Sequence, residues 1–169
     1  MQLTRNGVTV QVDDAAIMDM VLRSVLEDRH PALSKGTIKD QQAPRIGAEW
    51  PGQGGIYAGI MRGRDGAPDY HLIVGPQFDG ELKWPAAMEW ATVLKLHGFN
   101  DFTLPFRAEQ SLLFANVPEL FEKSGYWSRE QRAELAGYAW VQGFSDGGQS
   151  NGRKGYEWRA RAVRRLVIQ

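Results

Sequence analysis

Several things are missing from this chain, and each absence narrows what it can do. There is no cysteine among its 169 residues, which excludes disulfides, thiolate metal sites and cysteine nucleophiles. Neither sign of charge is in excess. Twenty Lys and Arg balance twenty Asp and Glu, so no global field favours nucleic acid or an anionic membrane. Long apolar runs are also absent. No stretch approaches the roughly 18 residues of a membrane helix, so no membrane insertion is expected. The N-terminus, MQLTRNGVTVQVDD, has no basic start followed by an apolar run, so no signal peptide is expected there. The chain is expected to be cytoplasmic when synthesised, with release by lysis or incorporation into a virion left open.

Reactive groups are sparse as well. The three histidines, His30, His71 and His97, fall in three different segments, and none has a neighbour at ligand spacing such as HExxH. His97 beside Gly98 reads as a helix-terminal residue set against the dipole. His71 can share a strand face with Asp69. Asp65, Asp69, Asp79 and Glu81 carry oxygen ligands, but their spacing matches no EF-hand loop. Ser111 and Ser128 lack the GxSxG elbow. Gly52-Gln53-Gly54-Gly55 has neither the lysine nor the spacing of a phosphate loop and reads as a tight turn. No catalytic residue, metal or cofactor is expected, and the chain is read as non-enzymatic.

What is present is an aromatic-rich apolar fraction. Apolar residues make up 43%, with six Trp, seven Phe and five Tyr, enough for one domain with a core. Nineteen Gly and eight Pro imply many turns.

The order of segments reads as α+β. Asn6-Gly7 between Leu3 and Val8–Val12 is a hairpin signal. Asp13 or Asp14 can cap a helix running to about Asp28, whose apolar face is broad enough either to dock on a core or to mediate self-association as a homo-oligomer. Residues 30–44 read as a connector, so 1–44 is taken as an N-terminal extension and 45–169 as the main domain. There, alternation places Ile56, Ala58 and Ile60 on one face of a strand, followed by a second strand through Tyr70, Leu72 and Val74, with Arg64-Asp65-Gly66 and Pro68 at the turn. A helix is expected from about Trp84 to His97, with Pro85 in its first turn, Gly98 at its end, and Ala87, Met88, Ala91, Val93 and Leu94 buried. A second is expected over roughly Arg107–Asn116. Trp84, Trp90, Trp127, Trp140 and Phe144 are expected in the core.

The richest region is the C-terminal tail, AWVQGF at 139–144 followed by SDGGQSNGRKGYEWRARAVRR. On a strand, Trp140, Gln142 and Phe144 face one way and Val141, Gly143 and Ser145 the other. Arg153, Lys154, Arg159, Arg161, Arg164 and Arg165 form a basic stretch interleaved with Tyr156 and Trp158. Nucleic acid would be one use of it. Alternation with Ala160 and Ala162 favours arginines that pair or pack internally, so nucleic acid is not the expected partner.

Taken together, Trp84…Ala87…Trp90-Ala91, Gly98-Phe99-Asn100-Asp101-Phe102-Thr103-Leu104-Pro105, Glu109, Leu112, Tyr126-Trp127-Ser128, Ala139-Trp140, Phe144, Gly147 and Arg159–Arg164 resemble a C-type-lectin-fold domain over residues 45–165. The similarity is to the bacterial and phage branch, which includes the Legionella collagen-like protein C-terminal domain and the formylglycine-generating enzymes. It implies a fold with two core helices and short antiparallel strands. Phe106 stands where that pattern has a capping Thr, so the cap must be missing or supplied otherwise. Without cysteine the formylglycine chemistry is not carried over. Without an EPN or QPD motif neither is calcium-dependent sugar binding.

The tail also resembles the variable proteins of phage diversity-generating retroelements, similar to the major tropism determinant. Trp140, Gln142, Phe144, Gly147, Gln149, Lys154, Arg159, Arg161, Val163 and Arg164 match the scaffold of that pattern. Between them lie residues obtainable by adenine-directed change of AAC codons, Trp158 excepted. That resemblance implies a displayed ligand-binding surface of Val141, Gly143, Ser145, Asp146, Ser150, Asn151, Arg153, Tyr156 and Trp158. Its partner would be a host protein or cell-surface component. Two other readings stay open: an intracellular phage accessory protein that inhibits a host enzyme or defence system, and a divergent enzyme of the formylglycine-generating lineage.

Overall fold

The computed structural model of the chain describes residues 2–5, 8–11 and 42–168. The chain divides into two units, Met1–Gln42 and Ala43–Gln169. In the first, β1 (Gln2–Arg5) and β2 (Val8–Gln11) pair antiparallel, Arg5 opposite Val8, which is the register a two-residue Asn-Gly connection sets. The helix expected to Asp28, its docking or self-association role, and His30 lie outside the described residues.

The second unit is α+β. Its main sheet runs β11-β5-β4-β3, built from β3 (Glu49–Trp50), β4 (Gly55–Met61), β5 (Tyr70–Gln77) and β11 (Arg161–Val167), with every pairing antiparallel. A second sheet runs β7-β8-β9 through Gly125–Gln131, Tyr138–Gly143 and Gln149–Arg153. A short pair joins β6 (Leu82–Lys83) to β10 (Glu157–Trp158). Two helices, α1 (Trp84–Val93) and α2 (Arg107–Asn116), and a 3₁₀ turn at Pro118–Leu120 lie between the sheets in sequence.

The β4–β5 pairing departs from simple alternation. A bulge between Tyr57 and Gly59 makes Ala58 an extra residue. Beyond it the faces exchange: Met61 joins Ile56 on the core side, and Ile60, which simple alternation places with Ile56 and Ala58, is 52% exposed. The bulged Ala58 carbonyl is not left orphaned, because Asn116 at the end of α2 donates to it at 2.8 Å. Leu72, Ile73 and Val74 of central β5 are all buried, so both faces of this sheet are covered there.

The helix expected to reach His97 stops at Val93, because Leu94 turns to an extended conformation (φ −59°, ψ 133°). Val93 is consequently 65% exposed and not part of the buried stripe, which reduces to Ala87 and Ala91 with Met88 and Leu94 at its margin. Leu96 and Phe99 exchange backbone hydrogen bonds around His97 (φ 50°) and Gly98 (φ 82°). Two successive positive φ angles make this a type I′ turn, so Gly98 serves the turn and His97 sits at no helix end.

Helix α2 covers Arg107–Asn116, as the sequence suggests, and its cap is supplied otherwise. Glu109 reaches back to the Phe106 N–H at 2.7 Å, and Glu130 of β7 accepts the Arg107 N–H at 2.5 Å.

Three apolar clusters form the core among the described residues, the smallest of them Trp50, Tyr57 and Ile73 on the outer face of the main sheet. Of the two larger, one gathers Leu72, Leu113, Val117, Phe121, Tyr126, Phe144 and Val163; Phe121 and Phe144 stack at 3.9 Å with Tyr126 edge-on. The other gathers Ala87, Ala91, Phe102, Leu104, Trp127, Val141, Ala160 and Ala162. Trp127 and Phe144 are buried as expected, but Trp84, Trp90 and Trp140 are only half-buried. Polar partners hold Trp84 and Trp140 at the margin, and Trp90 meets Phe78 edge to face. Trp84 donates to the Ser128 carbonyl at 2.8 Å, and the Arg107 guanidinium stacks 3.4 Å above the Trp140 ring.

Candidate functional site

The three-stranded sheet sets the geometry of the tail. Val141 pairs with Trp127 on one side and Ser150 on the other, while Gln142 pairs with Tyr126 and Gln149. Directly opposed residues share a face, so Trp127, Val141 and Ser150 point one way and Tyr126, Gln142 and Gln149 the other. The second set is tied to α2. Gln149 donates to Gln142 Oε1 and to the Arg107 carbonyl, both at 2.8 Å, and Gln142 is fully buried. Trp140, on that same face, is covered by Arg107 in place of apolar neighbours.

The first face opens at the β8–β9 turn into a cleft of about 430 Å³. The turn is tightly bonded: Gly143 donates to the Gly148 carbonyl at 2.8 Å, and Gly147 to the Gly143 carbonyl at 3.0 Å. Asp146 Oδ1 accepts the Gly148 N–H at 2.9 Å, which orients the carboxylate. Six of the nine residues singled out from the sequence line this one cleft: Val141, Gly143, Ser145, Asp146, Ser150 and Trp158, joined by Ser124, Gly125, Gly148 and Gln149.

The nine do not share one environment. Ser145, Asp146 and Ser150 are exposed at the mouth. Val141 is 4% exposed and forms the floor, because its side chain packs into the second core cluster; it is not a displayed residue. Trp158 is half-buried and forms a wall. Strand β10 brings it against β6, and its ring lies over two glycines. A Cβ on Gly125 would fall 2.6 Å from the ring, and one on Gly152 2.9 Å from its Nε1. That Nε1 is buried without a hydrogen-bond partner among the described residues. Asn151, Arg153 and Tyr156 lie outside the cleft. Asn151 pairs with Trp140 and so belongs to the opposite face. Arg153 donates to the Tyr138 hydroxyl at 3.1 Å, and Tyr156 is 57% exposed beyond the end of β9.

The basic residues of the tail are turned to internal partners. Arg159 pairs with Glu122 at 2.5 Å. Arg161 donates to the Gly75 and Leu120 carbonyls across β5 and the 3₁₀ turn. Arg164, 5% exposed, holds Asp101 through two bonds and stacks 3.5 Å over Phe99. Arg165 meets Glu109 at 2.6 and 2.7 Å. Lys154 donates to Gln131 and lies 4.4 Å from the Trp84 ring centre. Ala160 and Ala162, on the alternate face, are fully buried. Arg159, Arg161, Arg164 and Arg165 thus act as struts within the chain, while Arg153 stays exposed.

Two features carried no sequence signal. One is the set of partners around the buried carboxylate Glu109, itself named in the resemblance, whose four acceptor positions are filled by Tyr70, Phe106 N–H and Arg165. Burial, reinforced by the hydrogen bond to Glu109, pushes the Tyr70 phenol from 10.0 up to about 12. The other is a mostly apolar cavity of about 440 Å³ beside this network, walled by Met61, Pro68, Phe106 and Val167. Both arise from residues distant in sequence, and no local pattern announces them.

His71 does not pair with Asp69. Asp69 accepts the Gly63 N–H at 2.8 Å, closing the β4–β5 connection, and His71 Nδ1 sits 3.1 Å from the Tyr57 hydroxyl in an edge-to-face group with Trp50. Burial lowers its pKa. Among the described residues no helix is long and apolar enough to cross a membrane. No protein-family model matches the chain, and no curated protein shows significant similarity to it.

Proposed function

We propose that residues 43–169 form a C-type-lectin-like module of phage or prophage origin. It binds a host protein or cell-surface component through the cleft at the β8–β9 turn and performs no catalysis of its own. One observation carries this reading: six of the nine residues singled out between the scaffold positions meet at one open cleft, while the scaffold residues Gln142, Arg159 and Arg164 are held by internal bonds. The lectin-like assignment draws support from the return of the last strand, β11, to pair with β5, with two helices and a second sheet inserted between. A rigid, hydrogen-bonded frame beneath exposed serines, an aspartate and an indole has the composition of an adaptable binding surface. In the retroelement reading, side-chain variation is accommodated at Ser145, Asp146 and Ser150, and not at Gly152, where a Cβ has no room.

The test is capture from host envelope and lysate by the full chain and by a variant carrying Ser145→Arg and Ser150→Tyr, which fills the mouth. The expected result is a partner bound by the first and lost by the second, with unchanged thermal unfolding. A partner held equally by both would refute the site. A near-identical template repeat and a reverse transcriptase gene beside the coding sequence are expected; without them, the diversification element of the proposal fails.

A further inference from the structure

Resting on the binding reading above, we infer that this cleft receives a basic side chain, a lysine ammonium or an arginine guanidinium, presented by a protein partner. Among the described residues Asp146 is the sole ionisable group lining it. Its Oδ1 is held by the Gly148 N–H at 2.9 Å, so the carboxylate is oriented before any ligand arrives, and Oδ2 has no hydrogen-bond partner among the described residues. The cations nearest in sequence are engaged elsewhere: Arg153 donates to the Tyr138 hydroxyl, Lys154 to Gln131, and Arg159 pairs with Glu122. None of them neutralises Asp146.

The rest of the cleft suits the same guest. The Trp158 ring forms a wall, and indole is the best aromatic partner for a cation. The Ser145 and Ser150 hydroxyls at the mouth can accept N–H bonds. Buried Val141 supplies an apolar floor for the methylene stem of a long basic side chain. Other guests fit poorly. An anionic group would face Asp146 with no cation to offset it. A wholly apolar group would bury that carboxylate unpaired, which is costly.

The experiment is a random-peptide selection on the full chain, followed by binding measurements with Asp146→Asn and Asp146→Lys. The asparagine keeps an oxygen for the Gly148 N–H, so the turn survives and only the charge is lost. The expected result is enrichment of peptides with a Lys or Arg whose replacement by norleucine or citrulline weakens binding by about tenfold or more, with the same loss for Asp146→Asn. The Asp146→Lys chain should select acidic peptides instead. Peptides that compete for the cleft but bind Asp146→Asn as tightly as the parent would overturn the basic-side-chain inference and leave the binding site standing. If no selected peptide is sensitive to filling the mouth with Ser150→Tyr, both fall.

Discussion

Replacing Glu109 by Gln tests the frame where it is most exposed to physical argument. Glu109 is fully buried and Arg165 is 20% exposed, so their ion pair is poorly screened. Oε1 accepts from Tyr70 and Arg165, and Oε2 from Phe106 N–H and Arg165. An amide can keep one oxygen for two of these donors. Its NH₂ group then faces an Arg165 donor, and the guanidinium loses its counter-charge. Breaking a buried pair from one side costs about 3–5 kcal/mol. For a domain of this size that is a fall of about 10–20 °C in Tm, and it shows equally as a lower urea midpoint by tryptophan fluorescence. Adding Arg165→Met removes the stranded charge and should recover about half the loss or more, so the two substitutions are strongly non-additive. The Tyr70 phenol supplies a second readout: released from Glu109, it should titrate below its present value of about 12. If Glu109→Gln costs less than about 1 kcal/mol, or if the two costs simply add, the description of this network as a coupled buried pair is wrong.

Three further outcomes follow from the same geometry. The pKa of His71 is lowered in the folded chain, so the unfolded state binds the proton more readily. The stability it contributes is present above its unfolded value near 6.5 and is lost as pH falls below it; His71→Phe should flatten that part of the stability curve, and a His71 ring resonance titrating at or above 6.5 would contradict it. Gly125→Ala should destabilise by about 1–3 kcal/mol, because its Cβ would lie 2.6 Å from the Trp158 ring and 2.9 Å from Val141; an unchanged denaturation midpoint would show that Trp158 moves freely. Ser145→Ala and Ser150→Ala should each change stability by less than about 0.5 kcal/mol, since both side chains are exposed at the mouth; a larger loss in calorimetry would make them part of the frame.

Local chemistry made much of this protein legible before its structure. Asn6-Gly7 announced a hairpin because a two-residue connection of that kind sets the register of the strands beside it. Helix α2 was expected over roughly Arg107–Asn116, and it spans those residues. The arginine–alanine alternation near the end put Arg161 and Ala162 on opposite faces of β11, because a strand has a period of two, but both faces are covered there: Ala162 and Val163 are fully buried and Arg164 is 5% exposed. Readings failed where a distant partner overruled local pattern. The bulge at Ala58 is stabilised by Asn116, and it sent Ile60 outward. Trp140 looks like core from its neighbours, yet a cation from α2 covers it. The division of the tail into inward and outward positions was half right: Val141 does point away from Gln142, but towards a second core cluster and the floor of a cleft.

Composition, periodicity and turn chemistry act over a few residues, and at that range the sequence alone determined an α+β chain with a cysteine-free aromatic core and a tail of alternating roles. Only the tertiary structure decided which of those roles meet. Asp146 and Trp158 are joined at one cleft because β10 crosses back to pair with β6, and Glu109 meets Arg165 and Tyr70 because β11 returns beside β5. Such meetings depend on strand pairing between segments tens of residues apart, where burial and hydrogen-bond satisfaction over the whole domain outweigh any local preference.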